Sequence, residues 1–119
     1  MRVLVCGPRD MDGRHRRLVE DSLLGAGATW VIEGGAGGAD HLAWLASKTL
    51  GLASERFFAD WQKHGRAAGP IRNRRMLDLG KPDLVLAFVP STGITKGTAD
   101  MVRRARKAGV EVREVVFEP

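Results

Sequence analysis

Apolar runs of β type alternate with stretches of helical period from one end of the chain to the other, and that order leaves few architectures open. Arg2 to Cys6 is dense in Val and Leu, as a strand covered on both faces is. Comparable runs follow at Thr29–Glu33, Ala53–Phe58, Asp83–Val89 and Val110–Phe117. Between them the spacing predicts four helices. The first is capped by Asp10 or Asp12 and runs to about Leu24, with Leu18, Val19, Leu23 and Ala26 on one side. The second spans His41–Leu50, with Leu42, Leu45, Ala46 and Leu50 as its stripe. The third starts at Pro70 and stops at Gly80, and the last spans Thr98–Ala108 with Met101, Ala105 and Ala108 inward. Asp60–Gly69 reads as an irregular loop. Strand, helix, strand repeated in this way needs right-handed crossovers. The expected fold is therefore a single Rossmann-like α/β domain over residues 1–119, a mainly parallel sheet of about five strands with helices on both faces.

Ligands of such a sheet bind beyond the carboxyl ends of its strands. The loops that should meet there are Gly7–Asp10, Gly34–Asp40, Asp60–Asn73 and Ser91–Thr98. Gly34-Gly35-Ala36-Gly37-Gly38 opens a helix with almost no side chains. Free amides at a helix N-terminus suit phosphate, with Asp40 close by. Glycines at a strand-to-helix turn also serve tight packing, and Asp40 also serves as an ordinary first-turn carboxylate. The spacing departs from the dinucleotide fingerprint, because it follows the second strand and not the first.

Composition narrows the partners. A net charge of +5 favours anions, either phosphorylated small molecules or nucleic acid. No apolar run approaches membrane-spanning length and no leader pattern opens the chain, so a cytoplasmic protein without a membrane partner is expected. The single cysteine, Cys6, suits a reducing compartment and a small buried role. His15, His41 and His64 lack metal-site spacing, so neither a metal nor a cofactor is expected.

Arg72 and Asn73 fall in the first turns of a helix, where Arg opposes the dipole and calls for another reason. A phosphate on Arg72 and a ribose on Asn73 would supply one; a solvated face is the ordinary alternative. Arg74 and Arg75 read as surface residues. Gly93, Gly97 and Thr98 form a second candidate cradle, with Thr98 also able to act as a plain N-cap. Asp100 is placed either to serve as a general acid or base or to cap. Trp61 can stack on a base or cover the core. Arg103 to Lys107 reads as the wet face of a helix.

Together, Gly34–Asp40, Trp61, Gly65, Ala68-Gly69-Pro70-Ile71-Arg72-Asn73 and Gly97-Thr98-Ala99-Asp100-Met101 resemble the YspA/YpsA-related branch of the SLOG superfamily over almost the whole chain. The resemblance implies a nucleotide or nucleotide-derived ligand. It also brings two more distant likenesses. The LOG phosphoribohydrolases, which release free base from nucleoside monophosphates, carry an Arg-Lys pair and a P-G-G-x-G-T-x-x-E motif. Here Arg72-Asn73 stands for the pair, Met101 stands where the glutamate would be, and Asp100 is one residue early. Members of the LOG family are at least dimeric, which implies a homo-oligomer. The DNA-processing protein A family, which binds single-stranded DNA, has elements similar to Gly35–Ala43 and to Arg72-Asn73-Arg74.

The resulting expectation is a nucleotide held with its phosphate over the glycine loops. Gly7, Arg9, Gly34, Gly35, Gly37, Gly38, Asp40, Trp61, Arg72, Asn73, Gly93, Gly97 and Thr98 would bind it. Arg9 and Arg72 would meet phosphate, Asn73 the ribose and Trp61 the base. An enzyme of this kind would use Arg72 and Asp100 to cleave an N-glycosidic bond; a sensor would bind without turnover; binding of single-stranded nucleic acid comes third.

Overall fold

The computed structural model describes all residues, Met1–Pro119. Five strands, β1 (Arg2–Cys6), β2 (Trp30–Glu33), β3 (Ala53–Arg56), β4 (Leu84–Pro90) and β5 (Glu111–Phe117), form one sheet in the order β3-β2-β1-β4-β5. Every pairing is parallel, so the expected α/β architecture with Arg2–Cys6 at its centre is the one observed. The helices are α1 (Arg16–Gly25), α2 (Ala39–Thr49), α3 (Trp61–His64), α4 (Ala68–Gly80) and α5 (Lys96–Lys107).

Strand alternation sorts the core into two layers. Val3 and Val5 of β1, with Leu84, Leu86 and Phe88 of β4, point to the side where Val19, Leu23, Leu42 and Ala46 of α1 and α2 pack. Leu4 and Cys6, with Val85 and Ala87, point to the other side and meet Met76 of α4 and Met101, Val102 and Ala105 of α5. Both faces of the central strands are thereby covered, as parallel pairing requires. No helix is long and apolar enough to cross a membrane.

Several boundaries differ from expectation for local reasons. Asp12 caps a 3-10 turn at Gly13–His15 that precedes α1, and Thr95, not Thr98, is the N-cap of α5. The supposed loop Asp60–Gly69 is mostly helical: Asp60 accepts a hydrogen bond from the Lys63 amide and starts α3, and α4 begins before Pro70. Proline is tolerated there because first-turn amides have no helical acceptor. Gly80 lies inside α4, where an added Cβ would come within 3.2 Å of the Ile32 side chain, and Lys81 takes the left-handed closing conformation at φ 49°. Ser47 occupies a buried position on α2, its hydroxyl donating to the Trp44 carbonyl, while Ala108 is exposed.

Candidate functional site

The loops after β1, β2 and β4 and the first turns of α4 and α5 meet at the carboxyl rim of the sheet around a cleft of about 750 Å³. Cys6, Met76, Trp61 and Pro70 contribute apolar surface to its lining. Arg9, Arg66, Arg72, Lys96 and Arg103 line it against only Asp10, Asp40 and Asp100, so the cleft carries a positive excess suited to an anion.

Of the residues singled out in the sequence, Gly7, Arg9, Asp40, Trp61, Arg72, Asn73, Gly97, Thr98 and Asp100 line this cleft. Gly34, Gly35 and Gly37 instead border a second recess of about 230 Å³, which shares Arg9, Ala36, Trp61 and Arg72 with the first. Gly38 lines neither. Gly93 is exposed in the turn after β4, where its amide donates to the Pro90 carbonyl, and it reaches neither recess.

The glycine-rich loop is built differently from an open cradle. A Cβ on Gly34 would lie 2.5 Å from Arg72 Nη1, and one on Gly35 would lie 2.6 Å from the Phe58 ring. The missing side chains therefore make room for the protein's own groups. Two of the loop's amides are also taken internally. The Gly35 amide donates to Glu33 Oε1 and the Ala36 amide to Asp40 Oδ2. The chain's own carboxylates occupy the part of the anion cradle that the sequence had assigned to phosphate.

Arg72 joins the two recesses. Its Nη1 donates to the Gly34 carbonyl at 2.7 Å and its Nε to Asn73 Oδ1 at 3.2 Å. Asn73 is only 5% exposed, and its Nδ2 donates to the Gly97 carbonyl and to Asp100 Oδ2. Arg72, Asn73 and Asp100 are thus one chain of hydrogen bonds tying the glycine loop to α4 and α5. Asn73 reads here as a positioning residue whose amide is spent on protein partners.

The carboxylates differ in character. Burial pushes Asp40 above its ordinary range, with Arg72 and the Ala36 amide opposing the shift. Burial would also raise Asp100, but hydrogen bonds from Asn73 and Arg104 and the charge of Arg103 outweigh it and hold the group below its ordinary range. Asp100 Oδ1 accepts from Arg103 and Oδ2 from Arg104 as well. A carboxylate so engaged is a poor proton donor near neutrality. Cys6 is driven upward chiefly by burial, which keeps it a thiol and a weak nucleophile.

Glu33 has no exposed surface. Its Oε2 forms a buried ion pair with Arg56 Nε at 2.5 Å. Burial, only partly offset by the Gly35 amide and Arg56, raises its pKa from 4.5 to about 7. The folded protein then binds more protons than the unfolded chain between those values, and stability falls as pH rises through that window. Relative to Glu33→Gln, the wild-type melting temperature should drop by several degrees between about pH 5 and pH 8. Parallel profiles for the two proteins would show that Glu33 does not titrate there.

The second cradle has free donors. The first helical bond of α5 runs from the Ala99 amide to the Thr95 carbonyl at 2.9 Å, so the amides of Lys96, Gly97 and Thr98 have no helical acceptor. All three residues line the cleft. The Thr95 and Thr98 hydroxyls, 2.8 Å apart, stand beside them. Thr95 and Lys96 lay in the loop expected at the site and Arg66 in the stretch read as irregular, but none of the three was singled out as a binding residue, and α5 starts two residues earlier than expected; Arg103, read as part of a wet helix face, also lines the cleft. The spacing from Asp100 to Arg103 was the available signal for an ion pair at the site.

The model of the YspA, cpYpsA-related SLOG family matches residues 1–64. The chain belongs to this family. The Gene 61 protein of Mycobacterium phage D29 is 39% identical to it over 87 residues, covering 69% of this chain and 67% of that protein. Among solved structures, the X-ray structure of DNA processing protein A from Streptococcus pneumoniae is similar with a TM-score of 0.60 at 15% identity. That similarity covers 94% of this chain but 58% of the other, so this SLOG chain spans little more than half of that protein, and what is shared is the fold. The family expected from the Gly34–Asp40 and Arg72-Asn73 motifs is the one found, although the matched residues stop before α4 and α5.

Proposed function

We propose that this SLOG domain binds a nucleotide or nucleotide derivative in the large cleft, with its phosphate on the first turn of α5. One observation carries the reading: the Lys96, Gly97 and Thr98 amides have no helical acceptor, and these three residues line the same cleft as Arg9, Arg66 and Arg72. Phosphate gains from the helix dipole, from amide donors and from guanidinium forks together. Trp61, half exposed on α3 and under the Arg9 guanidinium at 5.4 Å, offers its ring to the base. This differs from the expectation of phosphate over both glycine loops, because the first loop satisfies Glu33 and Asp40.

Binding without turnover is the favoured form. A hydrolase built on Arg72 and Asp100 would need Asp100 to stabilise a developing positive charge, and three protein donors already share that carboxylate. The test is thermal unfolding with a panel of nucleosides and their 5′-monophosphates. Phosphorylated members should raise the melting temperature in proportion to the logarithm of their concentration, and the matching nucleosides far less. Recovery of the nucleotides intact completes the expectation, whereas release of free base would restore the hydrolase. Indifference to every phosphorylated member would remove the proposal.

A further inference from the structure

The second recess adds a feature that a mononucleotide leaves unused. Phe58 follows β3 with 64% of its surface exposed, and Trp61, 49% exposed, lies three positions on. Both line the recess, whose floor is the nearly side-chain-free backbone of Gly35 to Gly37. The Phe58 ring rests on Gly35 with one side, and Arg56 sits over it at 5.4 Å. A lone exposed Phe is unremarkable on a protein surface. Here, however, it stands in a concave site whose remaining wall is formed by Arg9 and Arg72, and those two guanidinia also line the large cleft. The pair of arginines thus divides two adjoining spaces, each with an aromatic ring on its border.

Resting on the function proposed above, we infer that the ligand carries two bases joined by an anionic phosphate bridge. One base lies in the large cleft by Trp61, the bridge passes over Arg9 and Arg72, and the second base stacks on Phe58. A flat ring satisfies a recess floored by backbone, and stacking on an exposed aromatic is available to any base. A free dinucleotide and the end of a single strand present the same chemistry to this site.

The experiment compares three sets of ligands by titration: ribonucleoside 5′-monophosphates, 5′-phosphorylated dinucleotides of the same bases, and short homo-oligonucleotides. The dinucleotide should bind roughly tenfold or more tighter than its mononucleotide. Phe58→Ala should abolish that gain while leaving mononucleotide affinity unchanged, and Phe58→Trp should retain it. Affinity that levels off at the dinucleotide identifies a free dinucleotide, and affinity that keeps rising with length and falls steeply with salt identifies a strand; both support the inference. Equal affinity for mononucleotide and dinucleotide, or an equal loss of both in Phe58→Ala, overturns it and leaves the proposed function standing. Failure of all three sets to bind overturns both.

Discussion

Gly38→Ala should be the most destructive single methyl that can be added to this protein. Gly38 precedes α2 with φ 67° and ψ −124°, a conformation close to exclusive to glycine. A Cβ there would lie 2.2 Å from the Pro8 carbonyl oxygen and 2.6 Å from Arg9 Cα. Both are backbone atoms, and the Ala39 amide holds the same Pro8 carbonyl at 3.1 Å, so the loop after β1 cannot move aside without losing that bond. Backbone strain of about 1–3 kcal/mol and overpacking of similar size add to roughly 3 kcal/mol or more. For a domain of this size the melting temperature should fall by on the order of 10 °C. Gly37→Ala is the matched control: its nearest non-neighbour atom is the Arg9 carbonyl oxygen at an ordinary 3.7 Å, and its φ is not positive. That variant should stay within about 0.5 kcal/mol of wild type. Denaturant unfolding of the two proteins decides the matter, and a Gly38→Ala midpoint equal to the wild type would show that the two loops are not pinned together.

The contrast between those neighbouring glycines also explains how much of the molecule could be read from its sequence. Period and polarity declared the sheet, because Leu84 to Phe88 must be covered on both sides and only flanking helices can do so. The carboxyl-end loops followed from the parallel order. What local sequence could not reveal was the purpose of each small residue. Gly34 looks like an open amide until Arg72, distant in the chain, is seen to occupy the space beside it. Asp40 likewise looks available to a ligand until its contact with the Ala36 amide is drawn. Asn73 was legible as important by its place after Pro70, but its role as the link between Arg72 and Asp100 depends on two helices meeting. The α3 segment escaped because four residues carry too little period to be recognised. With it went the position of Trp61 on the recess it shares with Phe58.

The phosphate position is best challenged by a change that strengthens the fold while closing the site. Gly97 lies in the first turn of α5, lines the cleft, and has open space where a Cβ would go. An aspartate there faces the positive end of the helix and replaces a glycine within it, so Gly97→Asp should gain several tenths to about 1 kcal/mol in stability. The same carboxylate would sit where the ligand's phosphate is proposed to bind. Two like charges about 4 Å apart repel by about 1 kcal/mol in bulk water and about 4 kcal/mol near a protein surface. Nucleotide affinity should therefore fall between roughly fivefold and a thousandfold. Gly97→Ala separates charge from bulk: it should share the stability gain and keep most of the binding. Opposite signs for stability and affinity in Gly97→Asp cannot come from general damage to the domain. If Gly97→Asp binds the 5′-monophosphates as well as Gly97→Ala does, the anion does not rest on α5, and the guanidinium wall of Arg9 and Arg72 would have to hold it alone.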